Sequence, residues 1–390
     1  VGTAFRLGVV TPSSNTALEP LVAELVAGHG SAHFTRIAVR HIGVGDASDR
    51  QFDTEAMVAA ARLLSDARVD VVAWAGMSGS WLGVTREIGM SARLAAAAGA
   101  PATTSTLALL AACRAYGVRR LGLVSPYTAD VSARIAAELG RHGIEVVGEQ
   151  YCGLSTNFDF AAVDDRTVSS MIRAAAERAE AVAVVCTNMA AAVVSAAAEA
   201  ELGIPVFDSI AATVWHAMTL AGGPASVDGY GDLLANGTLR ARMQTVAEEL
   251  LAETKADRTT LRLDLPAAGC SVATCAAESC GPAVRSIRRD ATLPQRELAT
   301  VRWLEENRTP LIQGDFTAEP RPPQALLEVY GVRAQMLGPV VRDGVMVAWL
   351  SVHSLVEREW TAGDRHAVTV AARQIEELLD SRSTSEVHRR

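Results

Sequence analysis

Apolar residues fall into two kinds of pattern along this chain. Short unbroken runs, such as Leu7–Val10, Val71–Ala75, Leu121–Val124 and Ala181–Val185, have the length and lack of alternation of strands buried on both faces. Between them, Thr54–Ala67, Ser91–Ala98, Val131–Arg141 and Val168–Ala179 are rich in helix formers with apolar residues on one face, which predicts helices. Strands alternating with helices predict an α/β fold, a parallel sheet covered on both sides.

The pattern occurs twice. Leu7-Gly8-Val9-Val10-Thr11-Pro12 matches Leu121-Gly122-Leu123-Val124-Ser125-Pro126. Val69–Ser78 matches Ala179–Asn188, and Gly99–Ser105 matches Gly203–Ser209. The order and similar offsets predict two pseudo-symmetric halves, 1–115 and 116–235, with a ligand in the cleft between them. Beyond about residue 235 the duplication stops. Leu239–Lys255 is a long amphipathic helix inside a helical linker placed at 236–258. A separate α+β domain is expected over 259–380. It comprises strand Thr259–Leu265, helix Gln295–Asn307, antiparallel strands Ala334–Val341 and Val345–His353, and helix Arg365–Leu379. Pro339 predicts an edge position or a bulge, and 381–390 reads as a flexible tail.

Composition narrows the classes. The 390 residues, 49% of them hydrophobic, suffice for two or three domains with sizeable cores. A formal net charge of −8 argues against a nucleic-acid-binding surface. No uncharged apolar run reaches the roughly 18 residues of a membrane span, and no signal-peptide pattern is visible at the start. Six cysteines are too sparse for a disulfide framework. A cytoplasmic protein without nucleic-acid or membrane partners is expected.

The duplication singles out one thiol. Cys186 lies just past a strand, at the carboxyl end where open α/β sheets place ligands, and Gly76 holds the matching position in the first half. Cys186 precedes Thr187-Asn188 and an Ala-rich helix, whose N-terminus would favour the thiolate; the alternative is an inert core cysteine. The Gly76-Met77-Ser78-Gly79-Ser80 loop can converge backbone amides on an anion, or be a plain small-residue turn. Pro12, Ser13, Ser14, Asn15 and Thr16 follow the first strand and open a helix, as caps or as carboxylate holders. Tyr127 stands at the equivalent place in the second half, as a hydrogen-bond donor or as packing. His29 and His33 suit a surface loop, and His216 a structural role. Cys270, Cys275 and Cys280 recur every five residues, which fits no common metal motif. No metal site is expected.

The Val10–Thr16, Gly76–Ser80, Pro126-Tyr127 and Cys186-Thr187-Asn188 motifs resemble the aspartate/glutamate racemase superfamily. Within it they are most similar to the branch of maleate cis-trans isomerases and arylmalonate decarboxylases. The resemblance spans about residues 5–225. It implies two racemase-like halves, no cofactor, and a small dicarboxylate between them. Carried over onto this chain, it makes Cys186 and Tyr127 catalytic. Pro12, Ser13, Ser14, Asn15, Gly76, Met77, Ser78, Asn157, Thr187 and Asn188 would bind substrate. Racemases and isomerases of the superfamily carry a second cysteine where Gly76 stands, and arylmalonate-type decarboxylases keep only the later one. The C-terminal region resembles a GAF domain, which implies a small ligand there and a homo-oligomer.

One thiol limits the chemistry. Proton transfer across two faces of a carbon, or addition to maleate with assistance, uses two groups. A lone thiol can protonate an enediolate after carbon dioxide leaves, given donors for the oxyanion and an apolar pocket around it. Val10, Val44, Trp74, Met77 and Met189 are the expected apolar neighbours. A single-cysteine decarboxylase is therefore the first expectation. The alternatives are a maleate-type isomerase and a non-catalytic diacid sensor.

Overall fold

The computed structural model describes residues 5–223 and 226–387. The chain divides into two compact units after Thr238, the second also taking in Ala115–Gly117.

The first unit holds two parallel four-stranded sheets. Strands β1 (Phe5–Pro12), β2 (Gly30–Ile37), β3 (Val71–Trp74) and β4 (Ala102–Thr104) form one, in the order β2-β1-β3-β4. Strands β5 (Arg120–Ser125), β6 (Glu145–Tyr151), β7 (Ala181–Val184) and β8 (Val206–Asp208) form the other, in the order β6-β5-β7-β8. The register repeats with the order. Leu7 pairs with Val71 as Leu121 pairs with Ala181, and Val72 with Ala102 as Val182 with Val206. The flanking bonds repeat as well: Asp70 N donates to Arg6 O and Glu180 N to Arg120 O, both at 2.8 Å. The sequence repeat is thus a repeat of the hydrogen-bond ladder itself.

The strands β3 and β7 are buried at every position, as unbroken apolar runs require. In each sheet the chain reverses its direction of travel at the first strand. The crevice beside the carboxyl ends of β1 and β3, and of β5 and β7, is the place where such sheets bind ligands. The intervening helices include Thr54–Asp66, Val84–Ala98, Ala129–Arg141 and Asp165–Ala175. The second of these starts at Val84, well before the expected Ser91. Its buried row includes Glu87 between Val84 and Met90, and a carboxylate on the inner face masks the apolar periodicity. His33 lies on β2 rather than in a loop.

The second unit is an antiparallel sheet of β9 (Arg258–Leu263), β10 (Ala277–Cys280), β11 (Leu311–Gln313), β12 (Ala334–Arg342) and β13 (Val345–Ser354), in the order β10-β9-β13-β12-β11. One face, with Leu261, Leu263, Met336 and Leu350, packs with Leu250 and Ile375 into a single core. Pro339 pairs with Trp349 on one side, while β11 reaches only as far as Leu337 on the other. The ladder shifts register at Val340/Val341. Edge exposure and a bulge therefore meet at this proline, whose missing N–H would leave a two-sided ladder incomplete. The closing helix, Ala362–Val387, continues past the expected Leu379.

Candidate active site

Two residues past β3 and β7 stand Gly76 and Cys186, made equivalent by the shared register. Cys186 is a free thiol, 2% exposed. Its amide donates to Ser209 Oγ at 3.2 Å, and that hydroxyl donates to Val184 O at 2.6 Å. This pins the strand end to the start of the Ser209–Ala221 helix. Asn188 N donates to Cys186 Sγ at 3.3 Å, and the Tyr127 hydroxyl also hydrogen-bonds the sulfur.

Burial nevertheless dominates and pushes the thiol up to about 12, against those two donors. The expected help from a helix N-terminus does not reach it. The following helix begins only at Ala192, and the dipole effect fades within one turn. Cys186 therefore stays protonated, the state of an acid rather than of a nucleophile. Burial, and then the neighbouring Cys186, also raise Tyr127 well above the usual phenol range.

The matching seat in the first half is filled. A Cβ on Gly76 would lie 2.3 Å from Trp74 Cζ2 and 2.5 Å from its Cε2. The indole occupies the space that a side chain at Gly76 would need. Trp74 Nε1 donates to Ser78 Oγ at 3.2 Å, and Ser78 Oγ donates to Glu87 Oε1 at 3.1 Å. Gly79 N and Thr104 Oγ1 also donate to the Glu87 carboxylate, at 2.8 and 3.0 Å. Burial raises the pKa of Glu87 in spite of these bonds. The Ser78 hydroxyl is thus engaged within the protein. The Gly76, Met77 and Ser78 amides donate to no acceptor among the described residues.

The remaining predicted residues form one network across the two halves. Asn15 Oδ1 accepts from Ala17 N and Leu18 N, a helix cap, while its Nδ2 donates to Thr187 O at 2.9 Å. Asn188 Oδ1 accepts from Thr16 N at 2.9 Å, and its Nδ2 donates to Asn157 O. Asn157 Nδ2 donates to Ser14 Oγ at 2.8 Å, and Thr187 Oγ1 to Ala75 O at 2.9 Å. Pro12 is buried at the end of β1, whereas Ser13 is exposed and its hydroxyl turns to Val39 O. Val10, Trp74, Met77 and Met189 are buried; Val44 is 37% exposed and belongs to the surface. His216 Nδ1 sits 2.7 Å from Thr103 Oγ1, and burial lowers its pKa to about 4, which fits a neutral structural imidazole.

An aromatic seam borders the site. Trp74, Phe52, Trp81, Tyr127 and Phe160 follow one another edge to face, with centroids 5.3–6.5 Å apart. No Arg or Lys of the first unit is buried among the described residues. The partly exposed Arg36 stands beside the first-strand loop, its Nη1 donating to Ser13 O and Asn15 O at 2.9 and 3.0 Å. Four contributors were missed in the sequence: Glu87, Ser209, Trp81 and Phe160. Glu87 alone left a signal, as the charged member of an otherwise apolar 84-90-94 row.

The arylmalonate decarboxylase family profile matches residues 7–234, and the GAF domain profile matches residues 238–379. The chain is 32% identical over 199 residues to arylmalonate decarboxylase of Bordetella bronchiseptica, across 49% of this chain and 83% of that one. It is 24% identical over 247 residues to maleate isomerase of Geobacillus stearothermophilus, across 59% and 97%. The structure of maleate isomerase Iso from Pseudomonas putida S16 aligns with a TM-score of 0.56 and 26% identity, over 60% of this chain and 99% of its own. A liganded arylmalonate decarboxylase mutant, with one glycine changed to cysteine and one cysteine to serine, aligns at 0.55 and 26%, over 59% and 99%. With the family profile covering more than half of its length, the chain belongs to the arylmalonate decarboxylase family, and a GAF domain follows at its C-terminal side.

Proposed function

We propose that the Cys186 site decarboxylates a substituted malonate or related small diacid without a cofactor. The bond from the α-carbon to one carboxylate breaks, and its electron pair moves into the remaining carboxylate to form an enediolate as carbon dioxide leaves. The Cys186 S–H then delivers its proton to the α-carbon, and the thiolate recovers a proton from water. A thiol held near 12 is protonated at neutral pH, as this step requires. Its thiolate is a strong base that is readily reprotonated. The Gly76, Met77 and Ser78 amides are the donors nearest in kind to an oxyanion hole. Val10, Trp74, Met77 and Met189 supply the apolar surface that disfavours the departing carboxylate.

The observation that carries this reading is the Trp74 indole in the Gly76 seat. An isomerase or racemase would place its second reacting group there. Carbon dioxide release from substituted malonates is expected to fall about 10²–10⁴-fold in Cys186→Ala, the usual worth of a positioned acid. Undiminished release would refute the assignment. Conversion of maleate to fumarate, followed by proton NMR, would support an isomerase in its place.

A further inference from the structure

Asp208 ends β8 and is fully buried. Its carboxylate joins two helix starts. Oδ1 accepts from Ala211 N at 2.8 Å, at the head of the Ser209–Ala221 helix, and Oδ2 accepts from Ala191 N at 3.1 Å, at the head of the Ala192–Leu202 helix. The Ile210 and Ala192 amides also donate to it. The amides that open a helix lack partners within it, and a carboxylate caps them well. The same bonds fix the thiol. Ser209 Oγ holds Cys186 N and Asp208 holds Ala191 N, so two consecutive residues clamp the segment from Cys186 to Ala191 at both ends.

Capping alone does not call for a charge. The first half puts Thr104 at the same register position, where a neutral hydroxyl caps Leu107 N at 3.1 Å. Asp208 forms no ion pair among the described residues, and no Arg or Lys of the first unit is buried there. Burial raises its pKa to about 6, against the four amides, which leaves it ionised at neutral pH. A buried charge without a counter-ion costs stability that a hydroxyl would not. The reach of this charge includes the sulfur. Burial is the first cause of the raised Cys186 thiol; the Asp208 charge adds to it, as does Cys152, while Asn188 N and the Tyr127 hydroxyl oppose. Of the two equivalent strand ends, the one beside the thiol is the one that carries the charge.

We propose that Asp208 is a positioning residue that keeps Cys186 an acid: it clamps the segment bearing the sulfur, and its negative charge opposes a second one on the thiolate. The sulfur thereby retains its proton until the enediolate forms, and is withheld from attack on the substrate as a nucleophile. An enediolate is a far stronger base than a thiolate, so proton delivery stays downhill. Asp208 acts through Cys186. Its meaning for the reaction rests on the decarboxylase reading; its hold on the thiol does not.

The test follows alkylation of Cys186 in the full chain by iodoacetamide at pH 9, resolved from the other thiols by peptide mass spectrometry. The reagent is neutral, so a change of charge does not bias its approach. Well below its pKa a thiol reacts in proportion to its thiolate fraction. Asp208→Asn keeps an acceptor and drops the charge, and should raise the rate about threefold or more. Asp208→Glu crowds the same site but keeps the charge, and should stay within about twofold of the parent chain. Equal rates in all three proteins, or the same rise in both variants, overturn the inference. Should Asp208→Asn fail to fold, Asp208→Thr decides, since it copies the capping hydroxyl of Thr104; the same rise is expected, and an unchanged rate refutes. Carbon dioxide release undiminished in Cys186→Ala would remove the decarboxylase reading and leave the alkylation result standing, so the two failures remain distinguishable.

Discussion

The two halves of the first unit share a scaffold and differ in what they mount on it. Trp74 pairs with Thr104 where Val184 pairs with Asp208. Each loop that follows is underpinned by a buried carboxylate, but from different places. In the second half it is Asp208 itself, accepting from Ala191 N at 3.1 Å and Ala211 N at 2.8 Å. In the first half it is Glu87, reached from the Val84–Ala98 helix, with Thr104 donating to it from the Asp208-equivalent position. The first half then fills its seat with an indole, and the second leaves room for a thiol. Duplication thus supplies two equivalent strand ends, and a Trp74/Val184 difference makes the site asymmetric. A one-sided site suits a reaction with a single proton delivery.

Removing a buttress should show most strongly. Glu87→Ala strips the acceptor from Gly79 N, Ser78 Oγ and Thr104 Oγ1 and leaves a void, at a cost of about 3–5 kcal/mol in urea melts. A loss below ~1 kcal/mol would mean that the carboxylate does not support the loop.

A second difference between the halves lies at Glu199, whose counterpart is Ala95; each carbonyl accepts from the glycine that ends its helix, at 2.9 Å. Glu199 also accepts from Val206 N and Asp232 N, and burial raises its pKa from 4.5 to about 7. The folded state therefore binds this proton more tightly than the unfolded state. Its stabilising contribution is complete below about 4.5 and is lost as pH rises through about 7. The loss across that window is on the order of 3 kcal/mol. Glu199→Ala should flatten that part of the stability profile, and parallel profiles for the two proteins would refute it.

Putting the second-half residue into the first half should cost somewhat less. Gly76→Cys forces a Cβ to 2.3 Å from the indole, an overpacking worth about 1–3 kcal/mol. Trp74→Val, which copies Val184, empties part of a fully buried site and is costly alone, but it should cost less in the Gly76→Cys background, where the thiol fills part of the space and the clash is gone. Strict additivity of the two changes would show that the indole does not guard the seat.

The smallest effect concerns Tyr127. Its hydroxyl favours the Cys186 thiolate, so Tyr127→Phe should raise the thiol pKa further. Proton delivery should slow roughly fivefold, about 1 kcal/mol. The pH dependence of alkylation by a small electrophile, read beside turnover, checks both; an unshifted profile would remove Tyr127 from the reaction.

The repeat of short apolar runs, the strand-end position of Cys186 and the glycine opposite it were legible in the residues because ladder register follows sequence offset within each half. Asn15, Asn157, Thr187 and Asn188 were legible as polar loop residues, but not as a mutual network. Their partners are up to 172 residues away in sequence. Val44 was misjudged because a lone apolar residue in a loop carries no periodicity to orient it. Glu87 hid because charge on an inner helix face breaks the pattern used to find the helix.

The sequence by itself determined the doubled α/β scaffold, the loops at its strand ends and the count of thiols, since these depend on local pattern and on chain order. Only the tertiary structure decided which seat stays open. The Trp74 ring folds back over Gly76, and burial rather than a helix dipole holds the Cys186 proton. Both are matters of what fills the space around a group, and no spacing along the chain records that.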